Sequence, residues 1–129
     1  MLQREDIKKE AGVFYNEEVD VDGSLLLYHD VCTNGIGYVD ILFDLKNLPA
    51  EEIGYLGLLK SVLGYVDTEN YSYGELFNVI NASTGGVHCG VEVFEMADSE
   101  DDFRAMFGIR GKALYPQIPF MFEMIQEIL

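Results

Sequence analysis

The stretch LPAEEIGYLGLLKSVLGYVDTENYSYGELFNVINASTGG, residues 48–86, predicts two helices joined by a tyrosine-rich loop. Its first half begins with a proline and two acidic residues, which are typical of a helix N-terminus. Two apolar rows then follow helical spacing, so we expect this first helix to be buried on much of its circumference. The rows are Ile53, Leu56, Leu59, Leu63 and Val66, and Tyr55, Leu58, Val62 and Tyr65.

The second helix of this stretch has a start signal and a stop signal. Ser72 and Glu75 have the spacing of a capping box, in which each satisfies a backbone N–H that the helix leaves free. Gly85-Gly86 can supply the positive φ that ends a helix. The sequence therefore predicts a helix from about Ser72 to the two glycines.

Segments with alternating polar and apolar residues flank the two helices and predict strands. Turn signals at Asp22-Gly23 and Asn34-Gly35 separate the segments that come before them. Pro116 opens a last amphipathic helix. The predicted strands are residues 17–21, 24–31, 37–45, 87–96 and 103–113, and an acidic connection, residues 97–102, joins the last two as a hairpin.

The element order is β-β-β-α-α-β-β-α, which predicts an α+β fold: an antiparallel sheet with helices packed on one face. We expect residues 1–15 to be a linker remnant or a lead-in helix and residues 16–129 to be a partial α+β domain. The last helix stops at Leu129 without a glycine cap or a basic last turn. We therefore expect the chain to be a truncated piece of a longer protein.

Composition limits the functions open to this chain. Its 129 residues are 49% hydrophobic and carry a net charge of −15, which argues against nucleic acid as a partner. No apolar run approaches the ~18 residues that a membrane span needs. No signal peptide is recognisable, so we expect a cytoplasmic protein in which Cys32 and Cys89 are reduced thiols.

The residues that could carry chemistry have plainer structural interpretations. His29 and Cys32 could meet His88 and Cys89 in a metal site, but neighbouring residues of a strand point to opposite faces, which favours core or edge roles. The acid pairs Glu51-Glu52 and Asp101-Asp102 are more typical of solvated charge than of catalytic carboxylates.

Three tyrosines in and beside the predicted loop are the candidate binding residues. They are Tyr65, Tyr71 and Tyr73. Such residues can form a peptide-contact patch, and they can also simply pack the loop against a helix. Both interpretations stay open at the level of sequence.

Most of the chain resembles the presequence protease branch of the insulinase/pitrilysin superfamily of zinc metallopeptidases. The similarity is to the non-catalytic C-terminal half of these peptidases. It is carried by Leu26 with Tyr28-His29-Asp30, by residues 33–38, Phe43-Asp44-Leu45, Leu48-Pro49, Tyr55-Leu56, residues 68–76, Thr84-Gly85-Gly86 and residues 110–114.

The resemblance implies related α+β domains in two halves that close around a peptide chamber. In the zinc half of the family, the helix before the equivalent loop carries H-x-x-E-H. The corresponding positions here lie near Leu58, Ser61 and Val62, so no catalytic or metal-binding residue carries over. The resemblance thus implies a segment without a cofactor of its own, with zinc in the catalytic half of the longer peptidase.

We therefore expect a non-catalytic structural or peptide-contacting segment of a zinc-dependent metalloendopeptidase. Its expected partners are the catalytic half of that peptidase and unstructured peptides, with no nucleic acid and no membrane. One alternative is a free-standing peptide-binding or dimerisation module that pairs through open sheet edges. Another is a small metal-dependent enzyme that uses His29 and Cys32.

Overall fold

A computed structural model describes residues 15–96 and 102–129. The chain divides into two compact units, residues 1–33 and residues 34–129. Of the predicted lead-in segment only Tyr15 is described, and residues 97–101 of the predicted acidic connection also lie outside the described residues. The predicted element order is confirmed.

The first unit contains a β-hairpin. Its strands, β1 (Glu17–Val21) and β2 (Ser24–Tyr28), pair antiparallel. Asp22 and Gly23 both have positive φ, 51° and 84°, as a two-residue hairpin turn with a right-handed strand twist requires. Strand β2 ends three residues earlier than predicted, because the N–H of Val31 donates to the C=O of His29 and turns the chain.

The second unit is built on a three-stranded antiparallel sheet. Its strands are β3 (Ile36–Asp44), β4 (Val87–Glu95) and β5 (Phe103–Leu114), in the order β3-β5-β4. The predicted pairing of the last two strands is confirmed. The last strand of the chain is therefore the central one and joins β3 to β4.

Three helices complete the second unit: α1 (Ile53–Val62), α2 (Tyr73–Ser83) and α3 (Ile118–Ile128). Short 3-10 turns, Ala50–Glu52 and Tyr115–Gln117, precede α1 and α3. The capping box predicted for α2 is confirmed, and the N–H of Ser72 donates to Oε2 of Glu75 at 3.1 Å.

Helix α2 ends before the predicted glycines. Thr84 is already extended, and its hydroxyl donates to the C=O of Ile80 at 2.8 Å. Gly86 has the positive φ that the sequence predicted, 103°, but it turns the chain into β4 rather than ending the helix. Helix α2 therefore ends at Ser83, just before the two glycines, and Gly86 redirects the chain into β4.

The core lies between the sheet and α3. Phe107, Ile109 and Ala113 of β5 share one sheet face and pack with Met121 and Ile125 of α3. A second cluster joins α2 to α3 and consists of Leu76, Ile80 and Met124. The helices thus pack on one sheet face, as predicted.

Helix α1 is much less buried than predicted. None of its residues is buried, and Tyr55 and Leu58 are 70% and 61% exposed. Of its apolar residues, Leu56 is half-buried and packs against the core, as does Leu63 just beyond the helix. The prediction was wrong because α3 covers the central strand β5, whereas α1 contacts the edge strand β4.

Candidate functional site

The loop between α1 and α2, residues 63–72, carries the candidate tyrosines and is ordered by its own polar groups. Oδ1 of Asp67 accepts a hydrogen bond from the N–H of Tyr73 at 2.7 Å. The N–H of Thr68 donates to the C=O of Tyr71 at 2.9 Å. These bonds close a compact turn, so the residues at its two ends have defined positions.

Helix α3 anchors this loop through Glu127. The carboxylate accepts hydrogen bonds from the Thr68 hydroxyl at 2.5 Å and from the N–H and side-chain amide of Asn70 at 2.9 and 2.8 Å. Hydrogen bonds to the charged form, from Thr68 first and then Asn70, lower the pKa of Glu127. The loop is therefore attached to α3 by a charged acceptor 57 residues away in the sequence.

Tyr65, Tyr73 and Phe77 form a continuous row of exposed aromatic rings, which we call the aromatic row. Successive ring centroids are 6.5 Å apart, with interplanar angles of 31° and 44°. The three side chains are 63%, 45% and 51% exposed. Large rings in defined positions on a surface can contact apolar side chains and backbone of an extended peptide at low entropic cost.

The structure brings two of the three candidate tyrosines together. Tyr71 is half-buried and packs against the cluster of Leu76, Ile80 and Met124, so it attaches the loop to the core. The third ring of the aromatic row is that of Phe77 and not that of Tyr71. Sequence reasoning did not name Phe77 as a candidate binding residue, although its spacing of four residues from Tyr73 places both side chains on one helix face.

The residues of the alternative metal site lie in different surroundings. His29 and Cys32 follow β2 in the first unit. His88 is exposed, and Cys89 faces the core, where burial raises the pKa of its thiol. In residues 15–96 and 102–129, no three His, Cys, Asp or Glu side chains are grouped closely enough to hold a metal ion.

Three of the four residues in the two acid pairs lie among the described residues. Glu51 and Glu52 are exposed in the 3-10 turn before α1. Asp101 lies outside the described residues, and Asp102 is exposed. The two described glutamates stand where acidic side chains favour a helix N-terminus, which is a structural role.

The positions that the resemblance equates with a zinc motif lie on α1. Leu58 is mostly exposed and Val62 is half-buried, and neither has a donor atom for a metal. The Ser61 hydroxyl donates to the C=O of Gly57 at 2.8 Å and so is already used within the helix. This donor set does not fit zinc.

The sheet face that the helices leave open carries a cross-strand ion-pair network. Nε of Arg110 lies 2.8 Å from Oδ1 of Asp40, and its Nη2 lies 3.0 Å from Oε1 of Glu92. The three residues come from three adjacent strands, and the arginine stands on the central one. Because these side chains are partly solvated, the ion pairs contribute little to stability.

A family model described as Peptidase M-16C associated matches residues 1–129. The chain belongs to this peptidase-associated family. The match covers the aromatic row, the anchored loop and α1 together. Among the described residues of this family member, no helix combines the length and the apolar character that a membrane crossing requires.

Curated proteins similar to this peptidase-associated chain are much longer than it is. Protein HypA of Clostridium perfringens is 41% identical over 129 residues, which is all of this chain and 13% of that protein. The mitochondrial presequence protease of Gibberella zeae is 32% identical over 124 residues, 94% of this chain and 12% of the relative. Presequence protease 1 of Arabidopsis thaliana, chloroplastic/mitochondrial, is 27% identical over 127 residues, which is 96% of this chain and 11% of that protein.

These matches confirm the resemblance to the presequence protease branch of the insulinase/pitrilysin superfamily. They also show that the peptidase-associated chain spans 11–13% of the length of these relatives.

Proposed function

We propose that this chain is a non-catalytic segment of a zinc-dependent metalloendopeptidase that degrades peptides. In this role it belongs to the C-terminal half, forms part of the wall of the peptide chamber and contacts both the catalytic half and bound peptide. Zinc is held by the catalytic half. The cytoplasmic location predicted from the sequence stays a prediction.

The observation that carries this proposal is the chemistry of α1. A catalytic zinc needs three protein ligands with nitrogen, sulfur or carboxylate donors, and a nearby base to activate water. Leu58 and Val62 offer hydrocarbon at the equivalent positions, and Ser61 offers a hydroxyl that already donates to Gly57. The family match over the whole chain supports a role in association with a peptidase.

The aromatic row supports peptide contact within that role. Tyr65 and Tyr73 present rings and hydroxyls on a surface whose backbone is fixed by Asp67 and, through the loop, by Glu127. A fixed aromatic surface contacts many peptide sequences, because rings pack against side chains and backbone alike. A chain with net charge −15 also attracts basic peptides.

Metal content and peptide cleavage test the non-catalytic role. We expect the 129-residue chain to bind no stoichiometric zinc and to leave a fluorogenic peptide intact, whereas the longer protein that contains it cleaves the peptide in a chelator-sensitive manner. Changing Ser61 to Ala in the longer protein leaves its zinc content unchanged. One zinc per 129-residue chain together with turnover would contradict the proposal.

A second candidate function is a free-standing module that pairs through sheet edges. Within the described residues, the outer edges of β3 and β4 have no partner strand. The N–H of Met96, just beyond β4, donates to the C=O of Asp102. Backbone groups of successive residues alternate between the two sides of a strand, so the backbone N–H and C=O of Val91 and Val93 point away from β5. Exposed edges of this kind accept a strand from another chain.

Light scattering of the 129-residue chain distinguishes this module from the proposed segment. If the module is correct, we expect a dimer that Val91→Pro abolishes, because proline removes an outward-pointing N–H. Val93→Ala is the matched control, since it keeps every backbone group. A monomer at micromolar concentration rules out the dimerisation module and leaves the peptide-binding one to a direct binding measurement.

A further inference from the structure

The aromatic row has a regular spacing that matches an extended peptide. The ring centroid of Tyr73 lies 6.5 Å from that of Tyr65 and 6.5 Å from that of Phe77. An extended strand rises about 3.2–3.4 Å per residue and places every second side chain on one face, so its same-face side chains repeat at about 6.4–6.8 Å. Successive rings of the row therefore stand at the repeat of alternate side chains along a strand.

A helical ligand matches this row less well than an extended one. Side chains four residues apart on a helix are separated by about 6.0 Å along its axis, which is shorter than the ring spacing. Short peptide helices are also marginally stable in water, so a short ligand would have to become helical on binding. The spacing therefore favours an extended chain.

The rings keep their spacing because the backbone that carries them is held in place. Tyr73 is the first residue of α2, and its N–H donates to Oδ1 of Asp67 at 2.7 Å. Phe77 follows one helical turn later on the same face. At the other end of the loop, the N–H of Tyr65 donates to the C=O of Val62 at 2.9 Å. A ligand that matches the spacing can therefore bind without rearranging the backbone.

The charges beside the row limit which residues can stand between the apolar ones of the ligand. Asp67, Glu69 and Glu75 lie in the loop and the first turn of α2, and all three are exposed. Residues 61–103 contain no lysine or arginine. Ligand carboxylates would be repelled by this surface, whereas neutral or basic side chains would not. Charge complementarity therefore excludes an acidic segment as the occupant.

We propose that the aromatic row binds an extended peptide segment of about five residues whose alternate side chains are apolar, one for each ring, with no acidic residue between them. The inference rests on the proposed function, because it assumes that this surface contacts peptide. It adds the sequence pattern that the surface selects. Each apolar side chain packs against one ring, and the residues between them face away from the row.

The first test compares labelled peptides of identical length and composition, in which serines separate three leucines. One peptide has leucine at every second position, and the other has its leucines four residues apart, as on a helix face. Fluorescence anisotropy measures binding to the 129-residue chain. We expect the alternating peptide to bind about tenfold more tightly. Replacing its serines by glutamates should weaken binding by about threefold or more.

The second test asks whether each terminal leucine of the alternating peptide contacts one particular ring. With the wild-type chain, serine in place of either terminal leucine should weaken binding by about threefold. In Phe77→Ala one of these two losses should disappear, and in Tyr65→Ala the other should disappear, because a missing ring has no contact left to lose. Asn78→Ala, at an exposed position of α2, is the control and keeps both losses.

Three results would overturn the inference. They are equal or tighter binding of the peptide with helical spacing, persistence of both losses in Phe77→Ala and Tyr65→Ala, and no binding of the alternating peptide. Peptide cleavage by the longer protein is measured separately. Chelator-sensitive cleavage without a preference for alternation refutes only this inference, and the preference without cleavage refutes only the proposed function.

Discussion

The carboxylate of Glu127 accepts hydrogen bonds from both the backbone N–H and the side-chain amide of Asn70, at 2.9 and 2.8 Å. One side chain of α3 therefore fixes both the backbone and the side-chain conformation of a loop residue. Because the loop leads directly into Tyr73, this relationship positions the central ring of the aromatic row.

We predict that Glu127→Gln lowers stability in a pH-dependent way. Hydrogen bonds from Thr68 and Asn70 depress the pKa of Glu127 in the folded state. A depressed folded-state pKa contributes stability above the unfolded pKa, near 4.5, and this contribution is lost as the pH falls through the folded value. Thermal unfolding from pH 7 to pH 3 should give wild type a higher Tm than the variant at pH 7. We expect this difference in Tm to shrink below about pH 4.5. Glu123→Gln, at an exposed position of the same helix, is the control.

We predict that Gly111→Ala destabilises the second unit by about 1–3 kcal/mol. A Cβ at this position would lie 2.7 Å from Sδ of Met121, a side chain that is 0% exposed and cannot move away freely. Gly90→Ala in the neighbouring strand β4 is the matched control, because its Cβ meets nothing within 4 Å among the described residues. Urea unfolding measures both, and equal midpoints for the two variants would contradict the packing at Gly111.

We predict opposite consequences for two adjacent residues of α2. Leu76 is 0% exposed, and Leu76→Ala should cost about 2–5 kcal/mol through lost burial and a cavity. Phe77 is 51% exposed, and Phe77→Ala should cost less than about 1 kcal/mol. Chemical denaturation of the 129-residue chain measures the free energy of unfolding of both variants. A large loss with Phe77→Ala would show that the ring is part of the core.

We predict that the aromatic row affects peptide binding rather than turnover in the longer protein. Tyr73→Ala should raise KM about fivefold and leave kcat unchanged, which is the loss of uniform binding. Tyr73→Phe should keep most of the affinity, because the ring supplies the contact. Peptide cleavage kinetics measure both, with Asn78→Ala at another exposed position of α2 as the control. A fall in kcat with constant KM would refute peptide contact by this row.

Much of the fold follows from local signals in the sequence. The strand and helix order is readable because Asp22-Gly23 and the Ser72 capping box fix where elements start and stop. The strand order β3-β5-β4 is not readable, because pairing Asp40 with Arg110 joins positions 70 residues apart. Periodicity alone gives no information about contacts at that separation.

The candidate site was predictable only in part for the same reason. Tyr65 and Tyr73 could be named from the sequence, but the ring contact between them depends on a loop that Glu127 anchors from another helix. The burial predicted for α1 was wrong because an apolar pattern shows which residues seek a partner and not which element supplies it. Here α3 takes the central position over β5.

The central position of β5 has a consequence for how the protein is made. Strands β3 and β4 bond to β5 and not to each other, although both precede it along the chain. While the ribosome is still synthesising residues before Phe103, these two strands have no partner in this sheet. Folding of the second unit must therefore wait until β5 has left the ribosome, and the earlier strands are exposed to misassociation during synthesis.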